Sequence, residues 1–254
     1  MIEKLQKTNL LDKLNEKEKS LIKQLESHPL FDCLPTINWE NFIDILIQRR
    51  FLSFSIVNVY ELVIDALSEE EIKKTVREIL KEEFPRTCKG IPLLSHRELL
   101  FQDLLNLGAT REKILTTPET DVTKKIREES LKIFTQNFDK EYFQVIIVAA
   151  LRFWAEVLVS VEYSCLWRKI SEHLSSPHGD SNKPRSEFYY FHMVHDARRS
   201  DLGKEAMIGK RTHSQELAIH LVERLICSEN DLNCCLDVEE KACNLKCQFY
   251  DQFI

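Results

Sequence analysis

The stretch Phe188 to Lys204, FYYFHMVHDARRSDLGK, concentrates side chains able to hold a transition metal. His192, His195, Asp196 and Arg199 stand at i, i+3, i+4 and i+7, so on a helix they share one face. Two imidazoles and a carboxylate behind four aromatics (Phe188, Tyr189, Tyr190, Phe191) are what an imidazole-and-carboxylate site asks of one helix. The same spacing serves a satisfied core or surface face, and only further donors on other elements separate the two readings. Tyr163, Tyr189 and Tyr190 lie near these residues and read first as core packing with a satisfied hydroxyl.

Glu156 and Glu162 belong to Lys140–Leu174, whose run VIIVAALRFWAEVLVSVEYSCLW is apolar on nearly every side and predicts a helix in the middle of a bundle. Gln144, Arg152 and the two glutamates interrupt it before the roughly 20 residues that a bilayer requires, so it is not read as a membrane span. The two carboxylates point to different faces, and at least one is therefore buried, where its charge needs a cation or a metal. Arg152, four residues before Glu156, offers an ion pair; spacing leaves that pair and a metal role both open.

The elements that must position these residues read as helices throughout. Leu10, Leu11, Leu14, Leu21, Ile22 and Leu25 mark a first amphipathic helix that His28-Pro29 stops. Thr36 is the expected N-cap of a long helix over 38–66, bent near Arg49 to Phe54. Ser68 with Glu71 and Ser95 with Glu98 make two capping boxes, and Gly108 suits a helix C-terminus. Thr117-Pro118 predicts another start. The loop SSPHGDSNKPRS (Ser175–Ser186) delivers the chain into the His192 helix. Thr212 caps a helix from His213, and because Leu217, Leu221 and Leu225 form its apolar face, the stripe of His213, Glu216 and His220 is expected to face solvent. A last helix runs from about Asp237. No strand alternation, repeat, phosphate loop or nucleophile elbow is legible.

Composition narrows the classes. The 254 residues are 30% charged and 43% hydrophobic with only 5 glycines, as in a helical globular protein, and a single domain over residues 1–254 is expected. A net charge of −6 gives no electrostatic footprint for nucleic acid. The N-terminus alternates charge with leucine, unlike a secretory signal, which places the protein in a cytoplasm and predicts that its 8 cysteines are reduced thiols. No CxxC pair occurs, and Cys243 and Cys247 are expected on the inner face of the last helix.

Taken in order, the helix ending in His28-Pro29, the acidic helix end KEEFP (Lys81–Pro85), the start Ser95-His96-x-Glu98-Leu99, LLNLG (Leu104–Gly108), the buried helix with its internal glutamate, FxxFHxxxD and the closing Phe249-Tyr250-Asp251 resemble the haem-oxygenase-like di-iron oxidases. Their superfamily includes thiaminase II-like proteins, the cofactorless oxygenase of pyrroloquinoline quinone synthesis and the chlamydial protein associating with death domains. The resemblance implies an all-α, haem-oxygenase-like bundle of about seven helices. It also implies a ligand set of Glu83, His96, Glu156, His192 and Asp196, with Glu82 and Glu162 as neighbouring alternatives. Arg199 stands where the pattern has a sixth, histidine ligand, and a guanidinium has no lone pair to offer. His195, His213 or His220 is then left to supply that position, or the second metal is weak or absent.

Such a donor set suits iron, one or two ions, or manganese. The implied activity is that of a non-haem iron oxygenase or oxidase acting with dioxygen on a small metabolite, with no nucleic-acid or membrane partner and a homodimer left open. A metal-free binding or hydrolytic member of the same fold, and a helical protein-interaction module, are the alternatives.

Overall fold

The computed structural model of the chain describes residues 2–136, 141–195 and 212–254, and the side chains of all of these except residues 2–8 and 195. After α1 (Ile2–Glu26), Pro29 at the first helical position and the His28 ring, which accepts from the Leu30 amide at 3.2 Å, start the short α2 (Pro29–Cys33). The cap of α3 (Trp39–Phe54) is Asn38 rather than Thr36: Asn38 Oδ1 accepts from the Asn41 amide at 2.8 Å, while the Thr36 hydroxyl donates back to the Cys33 carbonyl. The single helix expected over 38–66 breaks at Ser55 and restarts as α4 (Ile56–Ala66).

The Ser68–Glu71 box does not form. Ser68 donates both its amide and its hydroxyl to Gln144 Oε1, at 3.0 and 2.9 Å, so α5 (Glu70–Leu80) begins after Glu69 with no side-chain cap. A tertiary acceptor has outcompeted the local one. A 3₁₀ turn, Lys81–Glu83, then leads into a hairpin of β1 (Arg86–Cys88) and β2 (Ile91–Leu93), unforeseen because three-residue strands carry too little alternation to read. Its two-residue turn needs positive φ at both positions, and Lys89 (51°) and Gly90 (82°) adopt it. The Ser95–Glu98 box opens α6 (His96–Asn106) as expected, and Gly108 closes it at φ 95°. Thr117 finishes α7 (Arg111–Thr116) by donating to Lys113 O, and Thr120 caps α8 (Asp121–Thr135) in its place.

The core helix is continuous from Phe143 to Ile170: α9 (Phe143–Ala150), a π-helical stretch at Leu151–Val157 and α10 (Leu158–Ile170). It is long and apolar enough to cross a membrane by length and composition, yet 89% of its most apolar window is buried inside the bundle. α11 (Tyr189–His195) packs on α10. α12 (His213–His220) opens with a Thr212–Gln215 capping box, continues into a second π stretch at Leu221–Leu225 and lies against α5 and the first π stretch. α13 (Glu229–Asp251) begins eight residues before the expected Asp237 because Ser228 and Asp231 form a capping box, and it packs along α1, α8 and α9. Cys243 is buried and Cys247 half-buried on its inner side, as expected, and the cysteines are free thiols.

Candidate functional site

Asp103 joins the two histidine-bearing helices α6 and α11. Its buried carboxylate accepts from the Ser186 hydroxyl at 2.6 Å and from the amides of Glu187, Phe188 and Tyr189 at 3.1, 3.0 and 3.2 Å, which are the donors that the first turn of α11 leaves unpaired. Burial pushes the Asp103 carboxyl up even against these bonds. The result sets His192 beside His96, ring centroids 4.5 Å apart.

Both rings are held in one tautomer. His192 Nδ1 lies 2.7 Å from the Phe188 carbonyl and His96 Nδ1 lies 3.0 Å from Glu83 Oε1. A carbonyl or carboxylate only accepts, so Nδ1 carries the proton and Nε2 the lone pair of each neutral ring. This is how carboxylates and carbonyls orient metal-binding histidines. Glu83 therefore sits at the orienting nitrogen of His96. Glu82, the register neighbour, sits at the other: its Oε2 is 3.7 Å from His96 Nε2 and is a buried oxygen with no hydrogen-bond partner among the described residues.

Glu156 comes from the π-helical stretch, a conformation common at functional sites because the extra residue per turn redirects side chains. It is 2% exposed, accepts from the Tyr60 hydroxyl at 2.9 Å, and has His213 Nδ1 at 3.8 Å. His213 thus faces inward, contrary to the expectation of a solvent-facing stripe; α5 covers that side of α12, and His220 meets Thr75 at 3.0 Å. Glu83, His96, Glu156, His192 and His213 all line one cavity of about 420 Å³. Its other walls are largely apolar, with Leu52, Ile56, Ile79, Leu100 and Val159 among them.

Four of the five expected ligands, Glu83, His96, Glu156 and His192, are therefore brought together, and Asp196 and Arg199 lie outside the described residues, as does the side chain of His195. Nitrogen and carboxylate donors of this kind have the chemistry that suits iron or manganese. Among the described residues no three such side chains are already arranged to hold a metal.

Glu162 is not available to that set. Arg49 donates to it from Nε and Nη2 (2.8 Å for the latter), Lys246 from Nζ at 2.7 Å and Tyr250 from its hydroxyl at 3.0 Å. Burial alone would raise the Glu162 carboxyl, but Arg49 and Lys246 overcome it and hold the group below the usual carboxylate range. Nor does Arg152 pair with Glu156: its guanidinium meets Glu18 Oε2 at 3.1 Å and Glu239 Oε1 at 3.4 Å, on helices α1 and α13 that helical spacing could not bring to it. Arg49, Lys246 and Tyr60 also reach the cavity, and the sequence reading passed over them. A signal existed for two: Arg49 interrupts the apolar run ILIQRRFL, and Lys246 sits at i+3 from Cys243 and i−4 from Tyr250 on a buried face. Tyr163 lines the cavity with its ring 6.0 Å from that of His192, whereas Tyr189 is buried away from it with an unpaired hydroxyl.

No sequence family and no curated protein matches the chain. Among solved structures it is similar to a TenA family transcription regulator from Silicibacter sp. TM1040, with a TM-score of 0.61 at 11% identity over 96% of each chain. The all-α, haem-oxygenase-like architecture shared with thiaminase II-like proteins is thereby established, and the likeness carries the fold alone.

Proposed function

We propose that the chain is a non-haem iron oxygenase or oxidase that acts with dioxygen on a small metabolite in the cavity. The observation that carries this reading is the meeting of His96 and His192, each oriented through Nδ1, with Glu83 and Glu156 at one largely apolar cavity and Glu82 beside the His96 ring. Glu82, His96, His192 and Glu156 would hold the metal, together with Asp196 on the continuation of the chain beyond α11. Ferrous iron, when bound, supplies the electrons that dioxygen needs to react, and manganese is the other ion such donors suit.

The chain's own contribution is orientation and dryness. Glu83 and the Phe188 carbonyl fix the ring protons of the two histidines. The Tyr60 hydroxyl holds one oxygen of Glu156 and leaves the other facing His213. The apolar walls exclude the water that would compete for an oxidising site. With Arg199 in place of a histidine ligand, a second metal position would fall to His213 and be the weaker.

Metal analysis after anaerobic reconstitution with ferrous iron tests the reading. The expected result is one firmly held iron per chain, lost in His96→Ala and in His192→Ala. Glu82→Gln is expected to weaken retention more than Glu83→Gln. A folded chain that retains no iron overturns the proposal and leaves the metal-free member of the fold or the interaction module.

A further inference from the structure

The cavity has a second pole, opposite in charge to its carboxylates. Arg49 and Lys246 both line it, both are buried, and both rest on the single carboxylate of Glu162. That carboxylate is saturated by four donors from Arg49, Lys246 and Tyr250. Arg49 uses its remaining terminal nitrogen on Ser53 at 3.0 Å. Lys246, 1% exposed, has Glu162 as its one hydrogen-bond acceptor among the described residues, and its ammonium otherwise lies over the Trp154 ring at 4.3 Å. When Lys246 is protonated, two cations against one anion leave an excess of one positive charge at the wall of a largely apolar cavity, where an unpaired charge is costly.

We infer that Arg49 and Lys246 form an anion subsite that takes the carboxylate of a small monocarboxylic acid, whose apolar body fills the cavity and whose far end reaches the histidines. One excess positive charge matches a monoanion, while a phosphate dianion would only reverse the imbalance. One side chain links the two poles: the Tyr163 ring lies under the Arg49 guanidinium at 5.2 Å and stands edge-on to His192 at 6.0 Å, a reach that a small acid can span. Burial and the neighbouring Arg49 lower the Lys246 ammonium to about 7, the direction expected of a cation that lacks a full counter-charge. The subsite stands on the cavity geometry; that the acid's far end is oxidised rests on the iron reading.

The test is calorimetric binding of hexanoate and 3-phenylpropanoate, each against its primary amide, to the full chain treated with a chelator so that no metal can take the carboxylate. Both acids are expected to bind saturably, and at least one at least tenfold more tightly than its amide. Lys246→Met keeps the volume and leaves the Arg49–Glu162 pair neutral, and is expected to erase that preference, while Lys246→Arg retains it. Equal affinity of acid and amide, no saturable binding of either acid, or tighter binding of hexyl phosphate overturns the inference, as does an unchanged preference in Lys246→Met. Should that variant fail to fold, the acid-to-amide ratio in the unaltered chain decides. A chain that prefers acids but retains no iron keeps this subsite and loses the proposed reaction; a chain that holds iron but ignores the acid–amide difference does the reverse.

Discussion

Two buried ionic clusters are anchored on the core helix, one at Arg152 and one at Glu162, and carry opposite imbalances. At the cavity, Arg49 and Lys246 share Glu162; away from it, Glu18 and Glu239 share Arg152. All six residues are under 4% exposed. In the closed cluster burial first, and then Glu18, push the Glu239 carboxyl well above the usual range, which favours its uncharged form. The cavity cluster borders open volume, where a bound anion can supply the missing charge. In both clusters burial and the imbalance shift a titrating group toward its neutral form, Glu239 upward and Lys246 downward, and only the cluster beside the cavity has room for a bound counter-ion.

The largest effect expected from breaking this comparison is that of Glu162→Gln, which strips from two buried cations the one carboxylate that pairs with them among the described residues. A loss on the order of 3–5 kcal/mol is expected in urea denaturation. Asp103 represents a third solution, a buried carboxylate met by a hydroxyl and three amides, and Asp103→Asn turns one acceptor oxygen into a donor facing donors. It should cost about 1–3 kcal/mol and lower iron retention by releasing His192 from its place beside His96. Denaturation that leaves stability unchanged would remove Asp103 from the account of how α6 and α11 are joined.

The pH dependence sharpens the contrast. The Glu239 carboxyl titrates higher in the folded chain than in the unfolded one, so it contributes stability at low pH that is lost as pH rises toward its folded value. Relative to Glu239→Gln, the unaltered chain should therefore lose up to about 1.4 kcal/mol per pH unit above the ordinary glutamate range, the slope set by one proton. Parallel stability curves for the two proteins between pH 5 and 8 would show that Glu239 is ionised in the fold. The smallest effect is that of Glu239→Gln itself at pH 5, within about 1 kcal/mol, because an amide replaces a protonated acid of the same shape.

Much of the scaffold was legible in the chain. The Ser95–Glu98 box, the Gly108 stop, the Thr212 cap and the all-round apolar helix that becomes the core follow from local physics, since a cap needs only the amides two or three residues away and a helix without a polar face has to be surrounded. Local signals failed where a distant group competed, as when Gln144 took Ser68 from its cap. They also failed where the repeat itself changed, since π-helical turns at Leu151–Val157 and Leu221–Leu225 have no period in the sequence.

The candidate donors Glu83, His96, Glu156 and His192 were named from motif order, and that they line one cavity is a matter of how the Lys81–Glu83 turn, α6, the π-helical stretch Leu151–Val157 and α11 pack. The sequence by itself determined that a helical bundle would form and that a carboxylate of its central helix would be buried, because both follow from residue type along one chain. Only the tertiary structure decided which charges meet. Glu162 lies 113 residues from Arg49 and Arg152 lies 134 from Glu18, and over such separations pairing depends on the docking of helices rather than on any spacing within one.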